Sequence, residues 1–169
     1  MRKAKPDVGR TEVYGCELVA FDGTDLEDVR PYDEIAAVVQ RLVGDAWWPG
    51  PSVNVEAARR GAESSATHGP VATGSHGCSV LIRFAASQAT VATAAHELAH
   101  ALAGVAHGHD EVYRRAYLDL VEVITNLDPT DRRGETHVHQ LAEAFAAAGL
   151  SIGRRSWSAP PDSAGAIAL

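Results

Sequence analysis

The chain is short of sulfur, of aromatic residues and of basic charge, and each shortage removes a class of protein. Its 169 residues include two cysteines, Cys16 and Cys78. They form neither a CxxC pair nor a disulfide-dense framework. They are expected as reduced thiols, which fits a cytoplasmic setting. Aromatic residues make up only 6% of the chain. Fifteen Lys and Arg face 22 Asp and Glu, giving a formal net charge of -7. Such a balance lacks the broad basic face that neutralises phosphates, so direct nucleic-acid binding is disfavoured. The groups Arg30/Arg41/Arg59/Arg60 and Arg132/Arg133 read as solvated faces. No apolar run approaches the roughly 20 residues of a membrane-spanning helix. The opening "MRKAKPDVGR" is basic but has no apolar core, so it does not read as a secretory signal.

Hydrophobic residues make up 46% of the chain, much of that alanine. The length suits one domain with a helix-rich core. Residues 10–153 are expected to form it, with a flexible lead at 1–9. The stretch 154–169, rich in Pro, Ser, Ala and Gly, reads as a flexible tail.

Hydrophobic periodicity sketches the elements. The segment 11–21 has mixed periodicity and fits either a strand or a packed helix. Ile35, Val38, Val39 and Leu42 form one helical stripe over 31–44, with Pro31 at the start and Gly44 at the stop. Val53, Val55 and Ala57 alternate as a strand over 52–58. Residues 59–77 read mostly as loop, with a weak strand around Val71. The stretch 78–85 is the strongest strand, with Val80, Ile82 and Phe84 on one face. Ser87 is the expected N-cap of a helix running to Ala103, stopped by Gly104. Asp110 opens the next helix, whose stripe is Tyr113, Tyr117, Leu120 and Ile124, and "NLDPT" breaks it. A last helix over 131–148 turns Val138, Leu141 and Phe145 inward and ends at Gly149. Trp47 and Trp48 read as a hydrophobic clamp at a turn.

The chemistry concentrates at "HELAHALAGVAHGHDEVY", residues 96–113. Positions i and i+4 share a helix face, so His96 and His100 can aim imidazole nitrogens at one point. Glu97 is rotated by about 100° from His96, off the ligand pair but within reach of a water on the metal. Zinc takes neutral imidazole, and a catalytic zinc needs a third protein ligand. Neither a metzincin nor a gluzincin spacing fits. The metzincin positions hold Ala103 and Ala106, and the following glutamates are Glu111, very close, and Glu122, without a distinctive setting. Two histidines remain, His109 at the mouth of the next helix and His107. The reversal after Gly104 favours His109. His137 and His139 read as surface residues. His68 and His76 fall in the Gly/Ser-rich loop, and His76 is a lesser candidate for the cleft.

"HELAH" followed by "GHDEVY" resembles the SprT-like zinc peptidases. It is more closely similar to a small family of HExxH metallohydrolases from actinobacteria and their phages. The likeness spans roughly residues 10–153, with its specific part in the motif segment. It implies an α+β, zincin-like minimal metalloprotease domain in which a small β-sheet packs against the HExxH helix with flanking helices. It implies His96, His100 and His109 as zinc ligands and Glu97 as catalytic acid/base. Tyr113 takes the aromatic position four residues past the third ligand. It also points to 78–84 or its neighbour as an edge that pairs with an extended peptide. Asp110 departs from the family, where glycine is usual. The expected function is a Zn2+-dependent hydrolase of peptide or protein substrates. A non-catalytic zinc-binding module and a small-molecule amidohydrolase are the competing classes.

Overall fold

The computed structural model describes residues 7, 9–69, 79–126 and 134–161. The architecture is α+β, with five helices and a three-stranded mixed sheet among these residues.

The ambiguous segment is helical. Helix α1, Arg10–Phe21, buries Val13, Cys16, Ala20 and Phe21. Gly9 precedes it at φ +100°, a conformation that other residues rarely adopt. Helix α2, Tyr32–Val43, buries Ile35, Val39 and Leu42, with Val38 packed at the margin. Pro31 sits one position earlier than expected, as an extended N-cap, and Gly44 ends the helix. Just beyond, the Trp48 indole N–H donates to the Pro51 carbonyl (2.9 Å) and Trp47 donates to Ser158 (3.1 Å), pinning the turn.

Strands β1 (Ser52–Ala57), β2 (Ser65–His68) and β3 (Ser79–Phe84) lie in the order β1-β3-β2. β1 runs parallel to β3 with Val53 opposite Val80, and β2 runs antiparallel with Ala66 opposite Ile82. β3 is therefore the central strand, buried along most of its length. Of the two segments expected as an edge, 78–84 or its neighbour, the structure leaves the neighbour: both sides of β3 are paired, and among the described residues β2 is an edge. β2 also corrects the expected loop, because "SATH" has no apolar alternation and is held by β3 instead. Val71, Cys78 and His76 lie outside the described residues.

Helix α3, Val91–Ala103, carries the HExxH motif. Its N-cap is Thr90, whose hydroxyl accepts from the Thr93 amide at 3.0 Å. The expected cap, Ser87, lies instead in a single 3-10 turn, Ala86–Gln88, which ends before the helix begins. Gly104 at φ +99° stops α3. A 3-10 turn, Val105–His107, and Gly108 at φ +58° reverse the chain. Asp110 then caps helix α4, Glu111–Thr125, by accepting from the amides of Val112 and Tyr113. The expected stripe Tyr113, Tyr117, Leu120 and Ile124 is buried, and α4 packs along α3.

Helix α5, Gly134–Ala147, buries Leu141 and Phe145, with Val138 at the margin, and Gly149 follows at φ +70°. α1 and α4 both pack on it. His137 is buried rather than exposed, because α1 covers that face and sets Phe21 edge-on to its ring. His139 is exposed and pairs with Glu143. Residues 154–161 stay on the body: the Arg155 guanidinium and the Trp157 indole donate to the carboxylate of Asp119, which is 1% exposed.

Candidate metal centre

Two adjacent helices supply the site. One turn of α3 brings His96 and His100 to the same face, and the reversal at Gly104 and Gly108 returns His109 over them. One ligand atom from each of His96, His100 and His109 lies within 4.8 Å of the others. His96 and His109 are buried and His100 is partly so. His107 does not join them. It is 43% exposed and its Nδ1 lies 2.8 Å from Asp110.

The tautomers follow from the neighbours. His96 Nδ1 lies 2.5 Å from Glu17 Oε1, and His109 Nδ1 lies 2.8 Å from Asp7 Oδ2. A carboxylate accepts only, so each Nδ1 carries the hydrogen and each Nε2 turns its lone pair away. Those two Nε2 atoms meet at 3.2 Å. Two lone pairs at that distance repel unless a cation or a shared proton lies between them. Imidazole nitrogens about 2.0–2.1 Å from a tetrahedral zinc stand about 3.3–3.4 Å apart, so the spacing suits such an ion. Carboxylate support of the far ring nitrogen is the usual setting of a metal-bound histidine.

The protonation pattern points the same way. Burial, then His96 and His109, push His100 down to about 2. Burial also lowers His109, against the opposing pull of Asp7. Burial lowers His96 too, but Glu17 and Glu97 outweigh it and the net direction is upward. His100 and His109 are thus held neutral and ligand-competent, while the carboxylates around His96 favour positive charge at that ring.

The rings are held from below and behind. Tyr113 is fully buried and packs against all three imidazoles, with centroid distances of 5.5, 4.4 and 4.7 Å to His96, His100 and His109. Its hydroxyl donates to the His96 carbonyl at 3.5 Å, so it braces the helix rather than facing a ligand. Tyr117 lies beside it, fully buried, and burial first, then the negative charge of Glu17, raises its hydroxyl well above the usual phenol range. His109 is fixed at three points: Asp7 accepts from both its amide and its ring, and Arg114 donates to its carbonyl at 2.7 Å.

Glu97 faces a cleft of about 370 Å³ that His96 also lines. Burial raises its carboxyl to about 7, with His96 and the Ala66 amide of β2 pulling the other way. Tyr14 of α1 stacks on His96 at 5.2 Å and lines the same cleft. Sequence spacing missed Asp7, Tyr14 and Glu17. Only Tyr14 and Glu17, at i and i+3 on one helix face, left a local trace.

No family model, curated protein or solved structure matches this chain. Among the described residues, no helix is long and apolar enough to cross a membrane.

Proposed function

We propose that the protein is a zinc-dependent, zincin-like hydrolase acting on peptide bonds. The carrying observation is the convergence of two carboxylate-anchored imidazoles and His100 beside a buried glutamate that opens on a cleft. His96, His100 and His109 hold the ion, and Glu17 and Asp7 keep the ring hydrogens on Nδ1. The ion, when bound, supplies Lewis-acid polarisation of a carbonyl and lowers the pKa of water toward about 7. Glu97 is placed off the ligand face, at the cleft wall, with a proton affinity raised by burial. It takes a proton from the attacking water as the new C–O bond forms, then delivers that proton to the leaving nitrogen as the C–N bond breaks. β2 is unpaired by β3 on its outer side, where the Ala66 amide reaches Glu97. That side offers main-chain groups to an extended substrate.

The test is Glu97→Gln against a broad peptide library. The variant keeps wild-type zinc content and loses turnover by at least about 100-fold, the scale of general acid–base catalysis. Wild-type protein that holds zinc and cleaves nothing in the library refutes the hydrolase and favours a non-catalytic zinc module.

A further inference from the structure

The large apolar side chains most exposed among the described residues are Tyr14, Leu18, Val19 and Val29. Tyr14, Leu18 and Val29 all line the cleft beside Glu97. A solvent-facing apolar group concentrated at one cleft marks a binding surface rather than chance. The same walls carry Glu17, Glu27, Glu63 and Glu97 and, among the described residues, no lysine or arginine. Among the described residues the basic group that reaches them is Arg10, whose guanidinium stands 3.7 Å from Glu63 across an exposed, weak pair.

These carboxylates have different commitments. Glu17 is bound to His96, and Glu97 faces the reacting bond. Glu27 is left to meet a ligand, and Glu63 has only its exposed contact with Arg10 to exchange for one. Burial raises the Glu27 carboxyl first, and the negative charges of Glu17 and Asp22 raise it further. A cation seated among them relieves that repulsion. A cleft lined by one sign of charge also focuses its field and concentrates counter-ions. The main chain leads the same way: Ser64 lines the cleft and Ser65 begins β2. A strand paired on the outer side of β2 would therefore run along the acidic wall.

We propose that the cleft selects extended peptides with basic and apolar side chains side by side, lysine or arginine meeting Glu27 and Glu63 and the apolar groups resting on Leu18 and Val29. This rests on the hydrolase reading only in taking the cleft as the substrate's path. The probes are two short fluorescein-labelled peptides, one alternating leucine with lysine and one alternating leucine with glutamate. Their anisotropy is followed as zinc-loaded full-length Glu97→Gln is added at low ionic strength. The lysine peptide binds at least about tenfold tighter, a preference that added salt weakens. Adding Glu27→Gln with Glu63→Gln brings the ratio within about threefold, whereas Glu34→Gln with Glu143→Gln, outside the cleft, leaves it near tenfold. Equal binding of the two peptides, no binding of either, a ratio that survives the cleft variant, or an equal fall in the control variant overturns the proposal. A wild type that binds the lysine peptide selectively but never cleaves it defeats the hydrolase reading alone. A wild type that cleaves both peptides equally well defeats the selectivity alone.

Discussion

Replacing Glu17 by glutamine is the sharpest perturbation of the site, because it changes charge and leaves shape. Glu17 Oε1 stands 2.5 Å from His96 Nδ1, a charge-assisted contact with little exposure on either side. The carboxylate makes the ring a stronger donor at Nε2 and fixes which nitrogen carries hydrogen. Glutamine is neutral, and its amide is free to turn an N–H toward Nδ1. That would move the ring hydrogen to Nε2, into the space the ion needs. Loss of such a supporting partner lowers metal affinity about 10–100-fold, or about 1.4–2.7 kcal/mol. The assay is competition for Zn2+ against a chromogenic chelator, paired with the visible spectrum of the Co2+ form. Affinity should fall by one to two decades while the fold, read by circular dichroism, is retained. The rival account is that packing alone orients His96, through Tyr14 stacked at 5.2 Å and Tyr113 and Tyr117 at 5.5 and 5.6 Å. An unchanged zinc constant in Glu17→Gln would establish that account and refute the role given to the carboxylate.

Three further outcomes are expected. His107→Ala retains one zinc per chain by elemental analysis and His109→Ala loses it; the reverse pattern would move the third ligand to His107. In the metal-free protein, Glu97 has a pKa raised by burial from 4.5 to about 7. The folded state therefore holds this proton more tightly than the unfolded chain does, and the stabilisation is fully present below about pH 4.5 and lost as pH rises through about 7. Metal-free Glu97→Gln should match the wild type near pH 4 and exceed it by roughly 2–3 kcal/mol at pH 8 in urea unfolding; parallel profiles would contradict the burial argument. Arg155→Ala with Trp157→Phe strips the buried Asp119 of its donors and should cost about 2 kcal/mol after discounting for the partial exposure of Arg155. A denaturation midpoint equal to wild type would show that the contacts of Arg155 and Trp157 with Asp119 add nothing.

What was legible in the sequence was whatever repeats locally. The stripes of α2 and α4, the run of β3 and the i, i+4 histidines each carry their period within a dozen residues. α1 was ambiguous for a physical reason: Val13, Cys16, Ala20 and Phe21 face the core while Tyr14, Leu18 and Val19 face out, two of them onto the cleft. Apolar residues serving two surfaces blur any single period. β2 was hidden because its strand character comes from its partner. Ser87 and Thr90 are both good caps, and a 3-10 turn takes up Ser87, leaving Thr90 to cap the helix. The pairing of Glu17 and Asp7 with the histidines was invisible because 79 and 102 residues separate them from the rings they hold. His137 read as surface because its own helix cannot reveal that α1 lies over it.

That long separation sets an order of events. The acids that anchor His96 and His109 leave the ribosome well before those histidines do, and α1 finds its main packing partner in α5, near the other end of the chain. A nascent chain that already displays all three imidazoles still lacks the clamp that aligns them. On the zinc reading, metal capture in the final arrangement would therefore wait on a helix that donates no ligand, and damage to α5 would surface as poor loading of an otherwise intact motif.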